Sequence, residues 1–181
     1  MATVGTGIPV VCKRLNPTLT LNHLNIVIRP LTRDEALAVA AWRYGGELAM
    51  YDSESGQEEA LLVMTAEGYG YYSLIQNDDF VGYCCFGPEG RVAGQPAPVD
   101  DLLDLGGGLR PDLVGKGLGA VGLPVILAFA NEQFSPPGFR TAIASFNRRS
   151  IVLCRWAGFR PSCTFPGPGG REFTELVLRG P

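Results

Sequence analysis

Histidine is almost missing from this sequence. His23 is the only one in 181 residues. Chemistry built on an imidazole base would have to run through that single residue near the N-terminus. Cysteine is sparse and poorly spaced. The five residues, Cys12, Cys84, Cys85, Cys154 and Cys163, are odd in number, with no CxxC and no Cys/His cluster. That pattern argues against a disulfide framework or a zinc site, so no metal is expected. Reduced thiols in a cytoplasmic protein are the simpler account. A basic surplus is also absent, since net charge is −3. A general nucleic-acid binder would carry the opposite balance. The negative balance leaves room for a cationic or amine substrate.

Long hydrophobic runs are lacking too. The longest candidate, "LGAVGLPVILAFA", falls short of the ~18 residues that a membrane span needs. The N-terminal "MATVGTGIPVVCKRLN" has no charged segment followed by the apolar core of a secretory signal. A soluble chain with no membrane partner is the expectation.

What is present is an ordinary globular composition, 46% hydrophobic and 18% charged, long enough for one domain with a core. Residues 1–22 read as an N-terminal arm and 23–181 as the domain. "HLNIVIRPL" (23–31) alternates like a strand. "TRDE" (32–35) is a capping box that opens a helix over "ALAVAAWRY", ended by Gly45 and Gly46. A second helix is expected within 55–70. "YYSLIQ" and "FVGYCCFG" around "NDD" form a hairpin. Cys84 and Cys85, adjacent on a strand, should face opposite sides, one to the core and one to the surface. A Gly/Pro loop (88–100) leads to the strand "DLLDLGGGLRP". Its three glycines suggest a bulge or the close approach of another molecule.

A long helix follows from about 117 to 134, with a kink or a tightened first turn expected from Pro124. The strand "FRTAIASF" comes next. Asn147 then caps the helix "RRSIVLCRWA", closed by Gly158. A final hairpin ends the chain. Helices alternating with strands after an initial meander imply an α/β fold.

The glycine-rich "VGKGLGAVGL" (114–123) admits several readings. A Walker A loop fails, because Gly117 stands where a Ser or Thr should bind Mg²⁺ and Arg110 where the first glycine should be. A dinucleotide fingerprint matches Gly117, Gly119 and Gly122 by count. However, Pro111 and several loop residues separate them from the strand, and no acidic residue ends the next strand. A third reading is an anion cradle of backbone N–H groups at a helix start. A plain glycine turn that lets the helix pack closely remains open.

The order of "LGGGLRPDLVGKGLG", a helix, a strand and "FNRRSIVLCRWAGFR" resembles the GNAT superfamily of acyl-CoA N-acyltransferases. "IRPLTRDEALAVAAWRY" is similar to that family's first strand and helix. The resemblance covers roughly residues 24–179. It implies a single α/β domain with a mixed, mostly antiparallel sheet of six to seven strands flanked by helices. It implies direct transfer of an acetyl group from acetyl-CoA to a primary amine on a small molecule or peptide, and it leaves a homodimer open. The alternative is a non-catalytic acyl-CoA binder or sensor of the same fold, and a dinucleotide oxidoreductase is more remote.

By the same resemblance Val114, Gly115, Lys116, Gly117, Leu118, Gly119 and Ala120 would hold the pyrophosphate. Leu109 and Arg110 would offer backbone groups to the pantetheine arm. Asn147 and Ser150 would touch the cofactor from the last helix. The family usually has Arg or Gln where Val114 stands, and often a proton-returning Tyr where Cys154 stands. Cys154 is therefore a candidate acid, with a small buried helix residue as the plainer alternative. Asp104, a carboxylate in an apolar strand, is the candidate base, unless alternation turns it to solvent. Arg148 and Arg149 could meet a cofactor phosphate or simply face water. Trp42, Tyr44 and Tyr51 could line the acceptor pocket, although core packing also explains Trp42.

Overall fold

The computed structural model describes residues 26–52, 64, 70–97 and 101–180. The expected arm, His23, Cys12 and nearly all of the expected 55–70 helix lie outside the described residues. Seven strands form one sheet: β1 (Ile26–Pro30), β2 (Gly70–Gln76), β3 (Asp79–Phe86), β4 (Leu103–Leu109), β5 (Gly138–Ala144), β6 (Arg160–Pro166) and β7 (Glu172–Arg179), in the order β1-β2-β3-β4-β5-β7-β6. Every pairing is antiparallel except β4 with β5. Among the described residues three bounded α-helices flank the sheet, α1 (Arg33–Ala41), α2 (Leu118–Phe134) and α3 (Arg148–Trp156), and Met64 is helical as well.

The local signals act where they stand. Thr32 accepts from the Glu35 N–H while the Glu35 carboxylate accepts from the Thr32 N–H, the reciprocal cap expected at the start of α1. Asn77 and Asp78 both take positive φ and turn β2 into β3. Asn147 Oδ1 accepts the Ser150 N–H at the start of α3. At its end Gly158 has φ +101, its N–H bonds Arg155 O, and the Phe159 N–H bonds Cys154 O. That pair of bonds satisfies the last carbonyls of the helix. α2 runs through Pro124 unbroken, and Ala120 N–H bonds Gly117 O, so the turn before the proline is tightened.

Both faces of the sheet are covered. α2 and α3 pack over Leu74, Cys84, Phe86, Leu105 and Leu176 on one face. α1 packs over Tyr71, Phe80 and Tyr83 on the other. Cys84 and Cys85 are therefore both buried. This corrects the core-and-surface expectation: alternate residues of a central strand do face opposite ways, but here both ways lead into a core.

β4 pairs with β3 in unbroken register from Leu105 to Leu109, so the three glycines carry no bulge in that ladder. They relieve close approach instead. A Cβ on Gly106 would stand 2.9 Å from Cys85 Sγ, and one on Gly108 would stand 3.1 Å from both the Tyr44 hydroxyl and the Tyr83 ring.

Candidate functional site

The two edges of β4 behave differently. Toward β3 it is fully paired. Toward β5 it pairs only at Leu103 with Phe139 and Asp104 with Arg140, and beyond these residues the two strands part. The Arg110 N–H bonds Val81 O, which fixes the phase of the β3 ladder. By antiparallel alternation, Gly107 and Leu109 turn their N–H and C=O groups to the opposite edge, into the opening.

A buried charge network closes the bottom of this opening. Arg140 Nε donates to Asp104 Oδ1 at 2.6 Å, Arg140 Nη2 donates to Oδ2 at 3.1 Å, and Arg91 Nε donates to Oδ2 at 2.6 Å. Arg140 also reaches Glu175 and the Pro96 carbonyl. Asp104 is 1% exposed and Arg140 3%. Asp104 is thus not a base in a cleft, as expected from the sequence. Both of its oxygens accept from guanidinium groups, and its task is to hold β4 to β5 where they last touch.

The glycine loop lies at the open end. After a short 3-10 turn (Pro111–Leu113), Gly115 and Gly117 take φ +82 and +85, the left-handed region that glycine tolerates best. The N–H groups of Val114, Lys116 and Ala120 are engaged by Pro111 O, Leu113 O and Gly117 O. Among the described residues the N–H groups of Gly115, Gly117, Leu118 and Gly119 have no such partner. The backbone cradle therefore narrows from seven residues to four amides at the N-terminus of α2, where the helix dipole favours an anion. Gly119 has a second task, since a Cβ there would stand 2.9 Å from Leu153 Cδ2 of α3.

Arg110 departs from the expected role. Its N–H bonds Val81 O and its carbonyl accepts from Leu113 N–H, while the guanidinium pairs with Asp79 and Asp112. It anchors the strand end and offers no free N–H to a cofactor. Arg149 was the less obvious cation. A Cβ on Gly115 would stand 2.9 Å from its Nη1, so its guanidinium lies directly over the cradle. It is exposed and makes no hydrogen bond among the described residues. The Ser150 hydroxyl on the next residue is likewise unpaired. Cys154 packs into the main core, and burial pushes its thiol up to about 11.

On the α1 face, above the opening, lies a cavity of about 190 Å³. It gathers Trp42, Tyr44 and Tyr51, as the sequence suggested, with Met64, Tyr71 and Tyr83, which the sequence did not single out. Tyr44 donates to Leu109 O at 2.9 Å, on the β4 side of the opening. Asn147 Nδ2 donates to the Tyr51 hydroxyl at 3.4 Å, on the α3 side. The cavity is thus tied to both walls of the cleft. Burial, with the Asp52 charge beside it, raises the Tyr44 phenol to about 12. Tyr83 is raised further, chiefly by burial. These phenols stay neutral at physiological pH.

Residues 25–160 match the family described as the acetyltransferase (GNAT) domain. The chain belongs to that family. No curated protein matches it in sequence. Solved structures similar to this GNAT domain include an aminoglycoside acetyltransferase, AAC(6′)-Ib, in complex with coenzyme A. That structure has a TM-score of 0.69 at 18% identity, with 86% of this chain and 95% of the other covered. A GNAT-family acetyltransferase from Bacillus anthracis aligns at TM-score 0.66 and 13% identity, covering 85% and 94%. A putative acetyltransferase from Salmonella typhimurium, solved with its cofactor acetyl-CoA, aligns at 0.60 and 20%, covering 85% and 93%. At such identities the likeness to these structures is one of fold. Among the described residues no group of His, Cys, Asp and Glu could hold a metal, and no helix is long and apolar enough to cross a membrane.

Proposed function

We propose that this GNAT domain transfers an acetyl group from acetyl-CoA to a primary amine by direct attack. The observation that carries this reading is the parting of β4 from β5 beyond Asp104, with four unpaired loop amides at its open end. The residues fit the cofactor. The diphosphate would rest on the amides of Gly115, Gly117, Leu118 and Gly119, with Arg149 above them in place of the side chain that Val114 lacks. The pantetheine arm would lie along β4 against the groups of Gly107 and Leu109. Asn147 and the Ser150 hydroxyl would bound it from α3.

Bound acetyl-CoA supplies the thioester. An N–H at the β4 edge stabilises the charge that develops on the thioester oxygen. The acceptor amine enters from the aromatic cavity, whose rings desolvate an ammonium and lower its pKa toward the neutral, attacking form. No buried carboxylate is required at that step, which fits the loss of Asp104 as a base. The nitrogen forms the amide bond as the carbon–sulfur bond breaks, and the proton it sheds ends on the released thiol. Cys154, protonated at neutral pH, would be the group nearest in role to a proton donor. The cysteines among the described residues are all free, which fits a cytoplasmic setting.

Thermal unfolding with acetyl-CoA, CoA, NAD and ATP tests the reading. Stabilisation by the two CoA species alone is expected. A shift with NAD and none with CoA would overturn it.

A further inference from the structure

Resting on that acetyltransferase reading, we propose that the acceptor is a primary amine on a compact aromatic or apolar body, of the arylalkylamine class, held at its nitrogen by Tyr83. The wall chemistry is the first argument. Among the described residues the cavity is lined by aromatic and aliphatic side chains, and none of these is charged. The charges around it are already engaged: Asp52 accepts the Tyr44 N–H at 2.7 Å, Glu89 accepts the Tyr71 hydroxyl at 3.2 Å, and Arg43 is turned onto the carbonyls of Ala40 and Trp42.

Size is the second argument. About 190 Å³ is below the ~300 Å³ at which pockets begin to enclose drug-sized ligands. One ring with a short side chain suits this volume, and a multi-ring sugar does not. A polyhydroxylated amine would also press its hydroxyls against ring faces, and each one left unpaired weakens binding by about ten-fold or more.

The third argument is the hydroxyl inventory. Tyr44 donates to Leu109 O, Tyr71 donates to Glu89, and Tyr51 accepts from Asn147. Tyr83 alone of the four makes no hydrogen bond among the described residues. Its ring lies against Gly108, 3.1 Å from where a Cβ would stand. Among the described residues the Tyr83 hydroxyl is thus the one tyrosine hydroxyl of the cavity with no hydrogen bond, and it sits beside the strand whose neighbouring residues face the cleft. Held there, an amine has its nitrogen at the cleft and its ring among Trp42, Met64 and Tyr71.

The test measures thiol release under saturating acetyl-CoA, with phenethylamine and benzylamine set against kanamycin and spermidine. Acetyl-CoA binding is measured separately by calorimetry. We expect kcat/KM for phenethylamine to exceed that for kanamycin by at least ten-fold. Tyr83→Phe should raise the phenethylamine KM by about ten-fold, the loss of one hydrogen bond, and leave acetyl-CoA affinity unchanged. Trp42→Ala should raise that KM further, and Tyr83→Phe keeps the test open if Trp42→Ala does not fold. Preference for kanamycin or spermidine would overturn the proposal, as would an unchanged KM in folded Tyr83→Phe. A chain that binds acetyl-CoA but releases no thiol with either arylalkylamine overturns the substrate class alone. A chain that does not bind acetyl-CoA overturns the acetyltransferase reading and the proposal with it.

Discussion

The two edges of β4 are made from one seven-residue strand, yet one is sealed and the other open. On the β3 side five consecutive residues pair without a break. On the β5 side two residues pair, and beyond them the edge has no strand partner, although the Leu109 carbonyl takes the Tyr44 hydroxyl. Side-chain choice explains the difference. Asp104 at the lower end binds Arg140 of β5 and locks the strands together. Gly106, Gly107 and Gly108 above it carry nothing that could bridge to β5 or block the gap. A cleft in a sheet thus needs a strong tie at one end as much as an absence at the other.

Removing the tie should have the largest effect. Asp104→Asn leaves the buried Arg140 guanidinium with only the longer Glu175 contact at 3.3 Å as counter-charge. The cost has a ceiling of about 3–5 kcal/mol, that of a buried pair broken outright on one side. Urea unfolding should show that loss. A change under about 1 kcal/mol would mean that water reaches Arg140, and that the strands are held by something else.

The open edge is probed next. Arg149→Ala should weaken acetyl-CoA binding by about ten-fold, the ~1.4 kcal/mol scale of one charge-assisted hydrogen bond near the surface. Calorimetry on the folded variant checks it, and an unchanged affinity would return the whole load to the loop amides.

The smallest effect belongs to a carboxylate remote from both edges. Burial alone would raise Glu35, but bonds from Arg29, Ser73 and Thr32 outweigh it and bring it to about 2, against an ordinary 4.5. A depressed pKa stabilises the fold above the unfolded value, and that contribution is lost as pH falls from 4.5 toward 2. Glu35→Gln should flatten the acid limb of a stability-against-pH curve in that window. An unaltered slope would show that other carboxylates set it.

Local signals were legible in the sequence because each closes within a few residues. The Thr32–Glu35 cap, the Asn77–Asp78 turn and the Asn147-to-Gly158 helix needed no knowledge of distant chain, and neither did the left-handed turns at Gly115 and Gly117. What stayed hidden depends on register across the sheet. Nothing around Asp104 shows that Arg140, 36 residues on, will lie beside it, and the base reading fell for that reason. One of Cys84 and Cys85 was expected at the surface, because strand alternation says which way a side chain points, not what covers it. Tyr71 and Tyr83 sit on neighbouring strands and join Trp42 and Tyr44 only after β2, β3 and α1 have packed. Arg149 reaches Gly115 only because α3 returns to the loop, so that neighbourhood could be named from the sequence only as one of two options.

The tie at Asp104 also acts as a depth gauge. From Asp104 to Leu109 there are five residue steps, about 16 Å of strand at some 3.3 Å each. With acetyl-CoA along β4 as proposed, that length would set how far its linear arm runs between the thioester and the loop amides. Moving the Asp–Arg pair two positions along both strands would keep the same faces in register, yet shorten the berth by about 6–7 Å. The position of one ion pair in this sheet is therefore a ruler for any molecule that lies along the unpaired edge of β4.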